Sequence, residues 1–346
     1  MEYTHGGDIY RLTGPVLDFS ANQNPLGMPP EVEEAARRAV SEANRYPDSR
    51  CGALCWAIAA MDGVSEPWIL CGNGAADLLF RLCAALWPRR AVVTAPTFSE
   101  YEQAVRASGG TVLRVPLHPE ENFAVGPAFL DALPGADLAF LCTPNNPTGR
   151  PISQEILQGA LEVAQREGIL LVVDECFLKL SDQAGPGLAP RLGEFPNLLL
   201  LRAFTKSFGM PGLRLGYCLT ANSDLLEGMQ RVGQPWSVSN VAQAAGVAAC
   251  ACPHWPERAM EEVVRPQRTR LIGELRELGL TVWDSEANYL LFRAPGQLDL
   301  KERLVARGVL IRACGNYPGL TGDYYRIAVR RSQENDILLQ ALREVL

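Results

Sequence analysis

Lys206 lies in the run Leu201-Arg202-Ala203-Phe204-Thr205-Lys206-Ser207-Phe208-Gly209-Met210-Pro211-Gly212-Leu213-Arg214, where a lysine amine could carry a carbonyl compound as a Schiff base. Taken alone, a loop lysine is more often simply solvated. Upstream, Leu170-Leu171-Val172-Val173-Asp174 reads as a buried strand ending in a carboxylate, the group that keeps a ring nitrogen protonated. Asp174 could also serve as a helix cap. Trp68-Ile69-Leu70-Cys71 reads as a strand that runs through Gly72-Asn73-Gly74-Ala75-Ala76-Asp77 into an apolar helix, and such a turn offers free backbone N–H groups to an anion. Thr143-Pro144-Asn145-Asn146-Pro147-Thr148-Gly149 sets two asparagines between two prolines at a strand end. Each element is weak alone; their order along the chain gives them weight.

The elements that must position these residues follow from the apolar pattern. Residues 1–30 mix Gly, Pro and Asn around Val16-Leu17-Asp18-Phe19 and read as an arm laid over a body. Helical patterns cover Glu31 to Glu42 and roughly Cys51 to Met61, with Arg45-Tyr46-Pro47-Asp48 as a break. Short apolar runs at 91–93, 111–113, 138–141, 170–173 and 198–201 alternate with helical stretches, which predicts a mostly parallel sheet with helices on both faces. After about residue 240 an Ala-rich helix, a charged helix with a kink at Pro266 and several short strands predict a smaller α+β domain. The division is an arm (1–30), a large α/β domain (31–240) and a small C-terminal domain (241–346).

Composition narrows the function class. A chain of 346 residues with 47% hydrophobic content can bury a sizeable core, and a net charge of −7 without a basic run argues against a nucleic-acid partner. Ten scattered cysteines without a C-x-x-C pair read as small buried hydrophobes, and three histidines make a histidine-rich metal site a poor expectation. No segment has the apolar length of a membrane span, so the expectation is a cytoplasmic protein acting on a small molecule.

Together these segments resemble the aminotransferase class I/II family of fold-type-I pyridoxal 5'-phosphate (PLP) enzymes over nearly the whole chain. The resemblance implies a seven-stranded-type sheet, Lys206 as the Schiff-base lysine and Asp174 as the partner of the pyridinium nitrogen. It places the cofactor phosphate at Gly74, Ala75, Thr205 and Arg214. Phe98 would stack on the ring and Asn146 would donate to its phenolic oxygen. Tyr46 would reach the phosphate of a second subunit, which implies a homodimer with shared active sites. Arg326 would clamp the substrate α-carboxylate in bidentate fashion.

Asp18-Phe19-Ser20-Ala21-Asn22-Gln23-Asn24-Pro25 resembles two branches of that family, one transaminating histidinol phosphate and one decarboxylating L-threonine O-3-phosphate for cobalamin biosynthesis. His5-Gly6-Gly7-Asp8 and Ile311-Arg312-Ala313-Cys314-Gly315-Asn316-Tyr317-Pro318-Gly319-Leu320 are similar to the decarboxylating branch. A phosphorylated amino-acid substrate needs a second anion pocket, for which motif position points to His5, Asn24 and Arg330. Two positions depart from the family pattern: Phe177 where many members have Tyr, and Ala203 where Ser or Thr meets the phosphate. A PLP-fold binding module without turnover is a remote alternative, which the joint presence of Lys206, Asp174, Asn146 and Arg214 opposes.

Overall fold

The structure is a computed structural model and describes residues 5–346; residues 1–4 of the expected arm lie outside the described residues. After a short strand in the arm, β1 (Leu17–Asp18), seven strands form the central sheet: β2 (Ile69–Gly72), β3 (Arg90–Ala95), β4 (Thr111–Pro116), β5 (Leu138–Cys142), β6 (Leu170–Asp174), β7 (Leu198–Ala203) and β8 (Gly216–Leu219). Their order is β2-β8-β7-β6-β5-β3-β4. β8 runs antiparallel to β2 and β7, whereas the other neighbours are parallel.

The inner strands read as continuous apolar runs because helices cover both faces. Successive side chains alternate between two cores: Ala139 and Leu141 enter one, Leu138 and Phe140 the other. β4 has one neighbour, exposes most of its residues and ends at Pro116, as an edge strand can. The covering helix Gln154–Glu167 starts where the Ser153 hydroxyl accepts from the Ile156 N–H and stops at Gly168 in the left-handed region (φ 67).

A second, antiparallel sheet is built from β9 (Thr281–Val282), β10 (Tyr289–Arg293), β12 (Arg312–Ala313) and β13 (Tyr324–Ala328), in the order β12-β13-β10-β9. The remaining strand, β11 (Val309–Leu310), pairs in parallel with β1, and Phe19, just beyond β1, is fully buried in the core under the second sheet. The arm is therefore stitched to the C-terminal part of its own chain. At the charged helix, a π turn over Met260–Val264 separates Trp255–Ala259 from Arg265–Glu277. Pro266 has no N–H to donate one turn back, and the wider turn just before it absorbs the missing bond.

This topology puts the chemistry on one edge. The carboxyl ends of β3, β5, β6 and β7 lie side by side, and the strand order reverses about β3, which is where open α/β sheets open a crevice for ligands.

Candidate active site

A cavity of about 450 Å³ lies over those strand ends, roofed by the arm and by the second sheet. Lys206 reaches it from the short helix Phe204–Ser207, which follows β7 directly. The Lys206 carbonyl accepts from the Asn24 N–H at 3.1 Å, and the Asn24 amide donates to the Ser207 carbonyl at 2.8 Å, so the arm braces the lysine turn. Burial, and then the nearby guanidiniums of Arg326 and Arg214, pull the lysine down to about 8. An amine so tuned is roughly a tenth neutral, and so nucleophilic, at pH 7, several hundred times more than at the usual 10.5.

Asp174 closes β6 and is buried against the cavity floor. Its Oδ2 accepts from the Tyr101 hydroxyl at 2.6 Å and its Oδ1 from the Cys176 N–H at 2.9 Å. Burial raises this carboxyl, against the pull of those hydrogen bonds and of Lys206. Tyr101 is itself fully buried, stacked on Phe140, and its hydroxyl needs such a partner. Phe98, one turn before it in sequence, lines the cavity edge-on to the Tyr101 ring.

The opposite end is built for an anion. Gly74 precedes the helix Ala75–Leu86 with φ 83 and supplies no side-chain cap, so the first-turn N–H groups of Ala75 and Ala76 open toward the cavity. A Cβ on Gly74 would lie 2.7 Å from Arg214 Nη2. Arg214 sits in the left-handed region (φ 56), a sparsely populated conformation for a residue with a side chain, and this bend turns its guanidinium to the glycine turn. Thr205 joins them on the wall. Helix amides and a guanidinium at one end, with an amine and a buried carboxylate at the other, fit a ring that bears a phosphate arm and a basic nitrogen.

The two asparagines of the Thr143–Gly149 loop divide their work. Asn145 is structural: its side chain accepts from Thr97 Oγ1 and donates to the Pro96 carbonyl, and its own carbonyl accepts from the Tyr289 hydroxyl. Asn146 faces the cavity and accepts from Arg326 Nη1. Arg326 also donates to the Ser20 carbonyl at 2.7 Å, and its Nε, though buried, has no partner.

Some residues singled out in the sequence stand elsewhere. Asn24 and Arg330 do not line the cavity: Asn24 is consumed by the lysine turn, and Arg330 holds Glu334 and the Asp18 carbonyl. Tyr46 is 79% exposed, rests on Trp236 and is not part of its own chain's cavity. His5 does line the cavity, with Nε2 3.0 Å from Glu100 Oε1.

The wall also includes polar residues that had not been picked out as site residues, among them Asn22, Glu100, Arg312 and Tyr317. Asn22 is 2% exposed and both its amide atoms lack partners, an arrangement that is costly unless a ligand fills it. Arg312 lies over the Tyr317 ring and bonds the Asn316 side chain. It is also the direct cross-strand partner of Arg326. Among the described residues no group of His, Cys, Asp and Glu side chains is arranged to hold a metal ion, and no helix is long and apolar enough to cross a membrane.

Comparison with known proteins agrees with this layout. Residues 14–342 match the family model described as aminotransferase class I and II. The chain is 39% identical to the threonine-phosphate decarboxylase of Salmonella typhimurium, over 99% of this chain and 96% of that protein. It is 34% identical to the histidinol-phosphate aminotransferase of Symbiobacterium thermophilum, over 98% of this chain and 93% of that one. Among solved structures, the histidinol-phosphate aminotransferase from Clostridium acetobutylicum superposes with a TM-score of 0.89 at 26% identity, covering 95% of this chain and 99% of that chain.

Proposed function

Because this chain belongs to the aminotransferase class I and II family and is a PLP-dependent enzyme, we propose that it decarboxylates L-threonine O-3-phosphate to (R)-1-amino-2-propanol O-2-phosphate and CO₂, a step of cobalamin biosynthesis. The observation that carries the reading is the pairing of two buried arginines, Arg312 and Arg326, directly across β12 and β13 in one cavity. Like charges so placed repel, and a ligand bearing two anionic groups relieves them. An amino acid phosphate brings a carboxylate and a phosphate together.

In this reading Gly74, Ala75, Thr205 and Arg214 would hold the cofactor phosphate, Phe98 would pack against the ring and Asn146 would meet its phenolic oxygen. Bound PLP supplies the electron sink for charge left at Cα. Asp174, fixed by Tyr101 and the Cys176 N–H, keeps the proton on the ring nitrogen. Arg326 takes the substrate carboxylate, while Arg312, Asn22 and His5 take its phosphate. These two grips would decide the reaction, because they set which bond at Cα is presented for cleavage. Lys206 Nζ then returns a proton to Cα as general acid.

The division into arm (1–30), large domain (31–240) and small domain (241–346) is part of the proposal, as is a cytoplasmic homodimer. Tyr46, 79% exposed beside Trp236, is the residue offered to the neighbouring subunit's cofactor phosphate.

Amino transfer from histidinol phosphate to 2-oxoglutarate is the second reading, favoured by the 34% identity to an aminotransferase of that name. Purified enzyme with PLP and L-threonine O-3-phosphate is expected to release CO₂. No CO₂, with amino transfer from histidinol phosphate instead, sinks the decarboxylase reading; silence with both substrates favours a binding module.

A further inference from the structure

The part of the cavity lined by His5 and Arg312, read as the place of the substrate phosphate, contains a carboxylate, which is out of place in a pocket for a phosphate. Glu100 sits on the cavity wall, its side chain 9% exposed, with Oε1 3.0 Å from His5 Nε2 and Oε2 accepting from the Ser99 hydroxyl at 3.0 Å. Among the described residues, the charged and titratable groups that face it are His5 from the arm, Arg312 from β12 and the Tyr317 hydroxyl from the loop that follows. An ionised Glu100 holds His5 and offsets the charge of Arg312, but it repels an incoming phosphate dianion.

We propose that Glu100 is a specificity-determining residue that takes up one proton from solvent when a phosphate dianion enters, changing from acceptor of His5 to hydrogen-bond donor to a phosphate oxygen. The proposal rests on reading this end of the cavity as a phosphate pocket. Neither bond-making nor redox chemistry is involved: one proton passes from bulk water to Glu100 Oε, and the phosphate inherits the contacts to His5 and Arg312. Burial already raises the Glu100 carboxyl, more than His5, Ser99 and Arg312 lower it, so the proton is available at modest cost. The exchange favours a group that only accepts hydrogen bonds and carries close to two charges, which describes a phosphate monoester near pH 7. A carboxylate side chain, with one charge, repays the displacement of Glu100 less well.

The test is calorimetry of inorganic phosphate binding to the PLP-loaded enzyme at pH 8, in two buffers of different ionisation heat. The parent is expected to take up about one proton per phosphate, and its affinity to fall roughly tenfold for each pH unit above the Glu100 transition. Glu100→Gln, which keeps a donor without a charge, should lose the uptake and hold its affinity at pH 8 or gain. His5→Gln removes the neighbouring imidazole and should keep the uptake. Unchanged uptake in Glu100→Gln overturns the proposal, as does equal loss of phosphate binding at pH 6 and pH 8, which marks a mere brace for Arg312. If the parent binds phosphate and neither variant changes proton uptake, only the role of Glu100 falls. If the parent binds no phosphate, the phosphate-pocket reading falls with it.

Discussion

Arg312 and Arg326 are direct partners in the antiparallel pair of β12 and β13, both buried and both on the wall of one cavity. Two guanidiniums opposite each other on one sheet face weaken the pairing unless something anionic lies between them. Asn146 and the Ser20 carbonyl accept from Arg326, and the Asn316 side chain and the Ala313 carbonyl accept from Arg312, which Glu100 also faces.

Removing either arginine should therefore cost activity more than stability. Loss of a buried charged contact to substrate costs about 2–5 kcal/mol, or roughly 30-fold to several thousand-fold in kcat/KM. Arg312→Met is expected to act through recognition of the side-chain phosphate, and Arg326→Met through the carboxylate. Arg312→Lys should recover only part, since an ammonium cannot make the planar two-pronged contact. Steady-state decarboxylation of L-threonine O-3-phosphate reads both; an Arg312→Met enzyme within threefold of the parent removes that residue from the substrate site.

Lys206→Met should abolish the yellow absorbance of the PLP-loaded protein that borohydride reduction removes from the parent. The same substitution should stabilise the cofactor-free protein at pH 7. The folded-state value of Lys206, about 8 against the usual 10.5, means that the folded protein binds fewer protons than the unfolded chain between those limits. Stability then rises with pH across that window, and below it the buried ammonium is a standing cost of order 1–3 kcal/mol. Thermal melts of both apo-proteins at pH 7 and pH 10.5 test the sign: the advantage of Met should shrink at the higher pH.

The strand ends were legible in the sequence because β5, β6 and β7 begin as continuous apolar runs, and Asp174 at the end of β6 and Asn146 and Lys206 just beyond β5 and β7 inherit their positions from the parallel register. The substrate side was not legible to the same degree. Asn22 and Asn24 stand two apart in one arm, and only the fold shows that Asn24 turns away to the Ser207 carbonyl while Asn22 is left facing the cavity. Arg330 and Arg312 present the same difficulty. Arg330 lies beyond the end of β13 and is taken by Glu334, whereas Arg312 is brought beside Arg326 by a strand pairing that no local pattern encodes. Glu100 and Tyr101 sit in a helix whose first turn looks like ordinary surface and core; their partners are distant in sequence.

Tyr101→Phe tests the support of Asp174. It deletes one hydrogen bond to a buried carboxylate, worth about 1.5–3 kcal/mol for a charged acceptor, and leaves Phe140 stacking intact. Cofactor affinity and kcat should both fall by roughly tenfold or more, and the loss should grow toward low pH, because a carboxyl with fewer donors is protonated more easily. Spectroscopic titration of the apo-protein with PLP across pH 6 to 8 reports this; a flat ratio of parent to variant contradicts it.

Gly74→Ala tests the phosphate cradle. The position combines φ 83 with an added Cβ only 2.7 Å from Arg214 Nη2, so either the backbone or the guanidinium must yield. Roughly tenfold to hundredfold weaker PLP binding is expected, with the melting temperature of the apo-protein changed far less. Equilibrium dialysis of the cofactor separates the two effects, and an unchanged dissociation constant would place the phosphate elsewhere.

Beneath the lysine turn lies a buried charge cluster: Arg202 joins Asp62 at 2.8 Å and Glu175 at 2.7 Å, Lys179 reaches Asp62 at 3.1 Å, and the Tyr217 hydroxyl donates to Asp62 at 2.6 Å. It ties the helix Gly52–Asp62 to the ends of β6 and β7, the strands that end in Asp174 and lead into the Lys206 turn. Burial pushes the Asp62 carboxyl up, but Arg202 and Lys179 outweigh it and hold it below the usual range. A depressed folded-state value gives stability that is present above the unfolded value near 3.8 and disappears as pH falls through the folded one. Asp62→Ala leaves Arg202 with one carboxylate and should cost about 3–5 kcal/mol at pH 7, while Asp62→Asn, which keeps the shape and the Tyr217 contact, should cost less. Urea midpoints at pH 7 and below pH 4 decide the matter: the gap between parent and Asp62→Asn must narrow in acid, and a gap of constant size would show that the carboxylate's charge contributes nothing to holding these strand ends.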